Sequence, residues 1–324
     1  MGGTRPFEPR DVVQVIALHQ KVMLHGAAPS SSLAGYLSSF YGETLFAHPW
    51  VDAGLQSLVY EGREGTIIGF LGVVPRPVSF RGRALRMAVC VRFMVDHDAP
   101  DAAFAAAGMH TRLVRGPQDL TLMDNDNAAS RRIWDATPDA VLAPLASISW
   151  TTDPAAPAVR PDEGWTSHTL DAGDLLGCIE TSSEGRALQP VYDKESAQWL
   201  LDFLDAAAYR GTLHRRMVVD PAGVIRGWYV FYANPAGYNG VLALHADEKA
   251  AGAVFRSLLG DARVAGGGST TTGRLQPELM TTIAAHGCSL DFGPWTVVHA
   301  RDAELRHALA NGDAHLTRLE GEFC

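Results

Sequence analysis

Lys249 and Gly252 are, by type and spacing, suited to hold a phosphate. They stand in Lys249-Ala250-Ala251-Gly252-Ala253, between an apolar strand and a helical pattern. A cation at a helix start and a glycine that admits close backbone approach both suit an anion. A lone Lys-x-x-Gly is also common in ordinary capped helices, so both readings stay open. His19 falls on the apolar face of a helical stripe with Val12, Val15, Ile16, Val22 and Met23 and reads as a core-edge histidine with a local partner. Cys90, Cys178, Cys288 and Cys324 lie far apart without metal-ligand spacing. No metal is expected, and a reduced, cytoplasmic setting fits.

The elements that must position these residues occur twice. Thr66-Ile67-Ile68-Gly69-Phe70 after the turn Glu61 to Gly65 reappears as Val224-Ile225-Arg226-Gly227-Trp228 after Asp220-Pro221-Ala222-Gly223. Such self-similarity predicts two related units, here 4–152 and 160–324, joined by a Pro- and Ala-rich linker. In the first, Glu8 to Asp11 opens a helix and Ser30 to Ser32 offer caps for a second carrying Leu33, Tyr36, Leu37, Phe40 and Tyr41. Strands are expected over 55–60, 66–74, 85–95, 119–123 and 141–150, with helices over 102–114 and 127–136. The second repeats this with helices over 170–182 and after Asp193, strands over 213–219, 224–231 and 240–246, and helices over 250–264 and 277–285. The near-continuous apolar run Met87 to Val95 marks a central strand. The charged tail, Gly312 to Phe323, reads as a surface helix with a frayed end, or as a segment folded back to line a pocket with Asp313 or Glu322.

This order resembles the GNAT superfamily of acyl-CoA-dependent N-acyltransferases. The sharpest local match is Asn127-Ala128-Ala129-Ser130-Arg131-Arg132-Ile133-Trp134, where Asn127 and Ala129 fit the family pattern and Trp134 stands at its Tyr position. Its Gly-Phe ending is missing, with Thr137-Pro138 nearby; in the second half Gly287-Cys288 occupies that place and Ile283 that of Tyr. The resemblance implies a mixed α/β (α+β) fold of two tandem GNAT-like domains, each with parted middle strands that accept a thioester. It also implies a pyrophosphate loop after the central strand. That loop reads Asp96-His97-Asp98-Ala99-Pro100-Asp101 in the first half, acidic and lacking Arg or Gly, whereas the second half keeps Lys249 and Gly252. The implied cofactor contacts are Phe93, Met94, Val95 and Asn127 in the first half, and Leu244, Lys249 and Gly252 in the second. His245, Tyr238, Tyr229 and Glu43 are candidates for the base, His245 because it ends the second central strand and imidazole titrates near neutrality.

The expected co-substrate is acetyl-CoA or another acyl-CoA, and the expected acceptor a small-molecule amine. The chain has 324 residues, 47% hydrophobic and 19% charged, with a net charge of −9. That balance supports real cores and argues against a nucleic-acid partner, which needs clustered cations. No apolar run approaches the ~20 residues of a membrane span, and the N-terminus carries no secretory pattern. A homodimer stays open. Two other functions fit less of the pattern: a catalytically inactive ligand- or partner-binding protein, and an aminoacyl-tRNA-dependent transferase.

Overall fold

The computed structural model describes residues 2–125, 128–151, 159, 161–236, 238–291 and 295–321. The first half runs β1 (Gly3–Pro6), α1 (Val12–Met23), α2 (Ser31–Ser39), a wide π-type turn at Phe40–Thr44, α3 (Leu45–Ala47), β2 (Leu58–Glu61), β3 (Ile67–Phe80), β4 (Arg83–Val95), α4 (Ala102–Val114), β5 (Leu120–Asn125), α5 (Ala128–Asp135), β6 (Ala140–Leu142) and β7 (Ala146–Thr151). The second runs β8 (Thr166–Thr169), α6 (Ala172–Ser183), β9 (Leu188–Pro190), α7 (Lys194–Ala206), β10 (Thr212–Val219), β11 (Ile225–Ala233), β12 (Tyr238–Ala246), α8 (Ala251–Val264), β13 (Thr270–Leu275), α9 (Met280–Ala284), β14 (Ser289–Asp291), β15 (Trp295–Ala300) and α10 (Ala303–Ala310). Local chemistry sets the helix starts. Ser30 Oγ accepts from the Leu33 amide, and Asp171 and Asp193 close capping boxes with Asp174 and Ser196. Arg81 and Gly82, both at positive φ, close a tight hairpin that carries β3 to Phe80, beyond the expected Val74.

Two mixed sheets result. The first is ordered β1-β2-β3-β4-β5-β15-β6, with β9 added to the far end of β3; the second is ordered β14-β7-β13-β12-β11-β10-β8. Each sheet therefore contains the last strand of the other half. The expected single strand 141–150 is corrected to two, β6 and β7, interrupted at Pro144, which has no N–H to give a ladder. β7 pairs with β13 and β14, while β15 pairs with β5 and β6. The exchange makes each sheet depend on the other half. Expressed separately, 1–152 and 159–324 are expected to lack cooperative unfolding by circular dichroism. Co-expressed, they are expected to co-purify as a complex, because each supplies a strand the other lacks.

The central pair of each sheet parts in the same way. β4 pairs with β5 in parallel from Met87 with Leu120 to Cys90 with Met123, and β12 with β13 from Tyr238 with Thr270 to Val241 with Gly273. Beyond those pairs the strands diverge. A bulge marks each fork, at Val91 in β4 and at Leu242 in β12; the extra residue bends the strand and strengthens its twist. The inner faces of both sheets, α1, α2, α6, α7 and α10 share one core, which includes Phe70, Val89, Leu122, Leu175, Leu200, Trp228 and Leu309. α4 covers the outer face of the first sheet and α8 that of the second. The tail is not a surface helix: Ala314, His315, Leu316, Leu319 and Glu320 are buried in or beside that shared core. Among the described residues no helix is long and apolar enough to cross a membrane.

Candidate functional site

Beside the first fork, on the β4 side, lies a cavity of 580 Å³. It is lined by the end of α1 (Lys21, Val22, Met23, His25), by Phe93 and Val95 of β4, by Asp96, His97 and Asp98, and by Ala106 of α4 with Ser130 and Ile133 of α5. The Asp96 amide donates to Ile68 O in β3. Alternation along β4 then turns the amides of Phe93 and Val95 towards the parted side, where β5 no longer pairs. Two backbone donors thus face the gap, a suitable arrangement for a carbonyl oxygen that gains negative charge.

The acidic loop at the mouth is partly neutralised from a distant segment. Lys21 Nζ lies 2.7 Å from Asp96 and 3.1 Å from Asp98, and these contacts raise its pKa. Asp96 also accepts the Asp98 amide, which folds the loop on itself. Lys21 and Ile133 carry no pattern in the sequence that ties them to this loop; only the fold brings them together.

The second fork has a neighbour on each face. On the inner face the tail runs into it: the His315 amide donates to Leu188 O, and Gln276 Nε2 donates to Leu316 O at 2.8 Å. The His245 and His315 rings lie 6.3 Å apart. Burial, and the field of the other imidazole, push the His245 pKa down to about 4. On the outer face α8 meets His286. A Cβ on Gly252 would come within 2.9 Å of His286 Cε1, and Arg256 bonds both His286 and Asp162.

These observations place each expected residue. Phe93 and Val95 line the first cavity, while Met94 points into the shared core. Asn127 lies outside the described residues, as do Glu322 and most of the linker. Leu244 is packed under α8, Lys249 is exposed, and Gly252 faces His286 instead of open space. His245 is covered by the tail and is not at an open thioester position. Tyr238 is 59% exposed at the closed end of its strand pair. Glu43 is exposed, 3.5 Å from Ser39 Oγ. Tyr229 is fully buried and donates to Asp261 at 2.7 Å, and burial raises its pKa. His19 has the expected local partner, Tyr41 OH, at 2.8 Å. Trp134 is buried and directs Nε1 at Met123 Sδ, so it fills core where the family pattern has an acid. Asp313 accepts the Ala187 amide at 2.9 Å, a structural bond between the tail and the residue before β9.

No protein-family model matches the chain, and no curated protein is similar to it. Solved structures are. The chain is similar to a probable N-acyltransferase from Enterococcus faecalis V583, described as a conserved protein of unknown function, at 12% identity and TM-score 0.58, over 93% of this chain and 72% of that one. A GCN5-related N-acetyltransferase from Kribbella flavida matches at 12% identity and TM-score 0.58, over 94% and 73%. Saccharomyces cerevisiae N-myristoyltransferase with bound myristoyl-CoA matches at 10% identity and TM-score 0.57, over 92% and 79%. At such identities the likeness is one of fold: the chain has the GNAT fold, carried twice.

Proposed function

We propose that this tandem GNAT-fold chain is an N-acyltransferase that takes its acyl group from acyl-CoA, acetyl-CoA or a longer one, bound in the first half, and passes it to a small-molecule amine. The 580 Å³ cavity at the fork of β4 and β5 carries the reading. Beside the second fork, His286 packs against Gly252 on α8 and the tail lies against His245, which favours the first half. In this reading the thioester lies beside β4 with its carbonyl oxygen facing the amides of Phe93 and Val95. The amine nitrogen attacks the carbonyl carbon, the C–N bond forms, the C–S bond breaks, and the departing thiolate takes up the proton the amine loses. Holding the two reactants together supplies up to about 7–11 kcal/mol of the barrier. With Trp134 buried, no side-chain acid is needed at sulfur, because a thiol of pKa about 8.5 leaves readily.

Lys21, His25 and His97 are the basic groups at the mouth, against Asp96 and Asp98. Thermal shift over a panel of acyl-CoA species tests the reading; no shift with any of them overturns it. Reversing the charge in Lys21→Glu is expected to weaken acyl-CoA about tenfold. Asp98→Asn, which removes an exposed repelling charge, is expected to tighten it by roughly two- to fivefold, the scale of a surface charge pair. Isothermal titration reads both.

A second reading, ligand binding without turnover, is favoured by one observation, the carboxylates in the phosphate loop. It predicts no thermal shift with any acyl-CoA and no release of free CoA thiol with any amine.

A further inference from the structure

We infer that Asp124 is the group that receives the amine of the acceptor, and that Arg274 of the second half holds it for that purpose. This rests on the reading of the first fork as the acyl-transfer site. Asp124 is the first residue of β5 beyond the last pair with β4, Met123 with Cys90. It shares a strand face with Leu120 and Leu122, which lie in the core between the halves. Its carboxylate therefore stands at the edge of the fork on the inner face. The outer-face cavity wall is formed by Phe93 and Val95. A thioester threaded through the fork from the α4 side would reach an amine held on this inner side.

The hydrogen bonds at Asp124 are one-sided. Arg274 Nη1, from β13 of the second sheet, donates to Oδ1, and Thr296 Oγ1 donates to the same atom at 3.0 Å. Arg274 Nη1 also donates to Thr296 Oγ1, and Thr296 is the register partner of Asp124 on the exchanged strand β15. Among the described residues the hydrogen bonds to this carboxylate all go to Oδ1 and none to Oδ2, and the side chain is 27% exposed. The Arg274 side chain is 8% exposed. One carboxylate oxygen is thus fixed by a buried guanidinium and a buried hydroxyl, and the other remains to accept an N–H. Burial and Arg274 push the Arg318 pKa down, Asp124 lies near enough to oppose them in part, and the net value is about 10. A carboxylate with one open lone-pair edge suits a group that carries both positive charge and N–H bonds: a primary ammonium. Asp124 binds and orients this group, which gives up one proton to solvent before its nitrogen attacks. Arg274 is a positioning residue that acts through Asp124. The inter-half contact and the exchange of β15 both converge on this one side chain.

The test uses n-butylammonium as probe, sodium butyrate as control, and protein labelled with 13C at the aspartate carboxyls. The Asp124 signal is assigned by its loss in Asp124→Asn. In the wild-type chain that signal is expected to move with butylammonium and to stay still with butyrate. Thr296→Val and Arg274→Lys are expected to weaken the response at least threefold and fivefold, while the acetyl-CoA thermal shift stays within a degree of wild type in all variants. A signal that does not move with saturating butylammonium, or that moves equally with butyrate, overturns the assignment. Loss of the acetyl-CoA shift from the wild-type chain instead overturns the function proposed for the first fork, whatever the carboxyl signal does.

Discussion

Ala106→Trp is expected to abolish acyl-CoA binding without unfolding the chain. Ala106 sits half-buried on α4, one wall of the 580 Å³ cavity, with Phe93 and Ile133 on the others. An indole there enters space that the thioester arm needs. It grows into a cavity and not into packed atoms, so the overpacking cost of about 1–3 kcal/mol seen in filled cores does not apply in full. At ligand a hundred times the dissociation constant, the wild-type chain gains about 2.7 kcal/mol. A hundredfold loss of affinity cuts that to about 0.4 kcal/mol, which thermal shift separates easily. Changes in the second half give the opposite pattern. Gly252→Ala places a methyl 2.9 Å from His286 Cε1 and is expected to lower the melting temperature. Its acyl-CoA shift, and that of Lys249→Glu, is expected to match wild type. A loss of binding in Lys249→Glu with none in Ala106→Trp would move the cofactor to the second half.

That contrast shows what the residues disclose and what they withhold. The repeat is legible because a tight turn between strands has its own chemistry: Gly65 and Gly223 both take positive φ, which other residues rarely do. Helix starts at Ser30 and Asp193 are legible for the same local reason. Sheet membership is not. β7 has the alternation of a half-buried strand, and nothing in a two-residue period says which sheet will pair with it. The choice of fork also misleads when read locally. Asp96 and Asp98 repel a phosphate on paper, but Lys21 stands over both, brought there by the end of α1. Gly252 looks welcoming until His286 packs against it, and Lys249 is left exposed beside it. The tail itself carries Leu316 and Leu319 among charges without helical spacing, so its burial is a tertiary effect. Asp124 escaped notice because its meaning comes from Arg274 and Thr296, 150 and 172 positions away.

Acidification is expected to unfold the chain well above the usual carboxylate range, and histidines are the cause. His19, His48 and His315 are 3%, 4% and 3% exposed, and burial holds the pKa of each near 4. Nearby guanidiniums add to it: Arg92 at His19, Arg76 at His48 and Arg186 at His315. In the unfolded chain all three titrate near 6.5. Between those values the unfolded state binds protons that the folded state refuses, so stability is complete above about pH 6.5 and falls as the pH drops towards 4. A shift of this size corresponds to at most about 3 kcal/mol per imidazole. Three such groups rival the whole stability of an ordinary domain, about 5–15 kcal/mol. The carboxylates Asp11, Asp171, Asp193, Asp220 and Asp302 are held below 3.8, so their contributions are lost only at lower pH. Urea midpoints taken from pH 7.5 to 4.5 are expected to fall steeply below pH 6.5. His48→Asn flattens part of that slope. Asn keeps an acceptor for the Trp50 amide, which His48 Nδ1 now takes at 3.2 Å, and it carries no titrating group. A midpoint that stays level between pH 7 and 5 in the wild-type chain would mean these imidazoles gain protons without opening the fold.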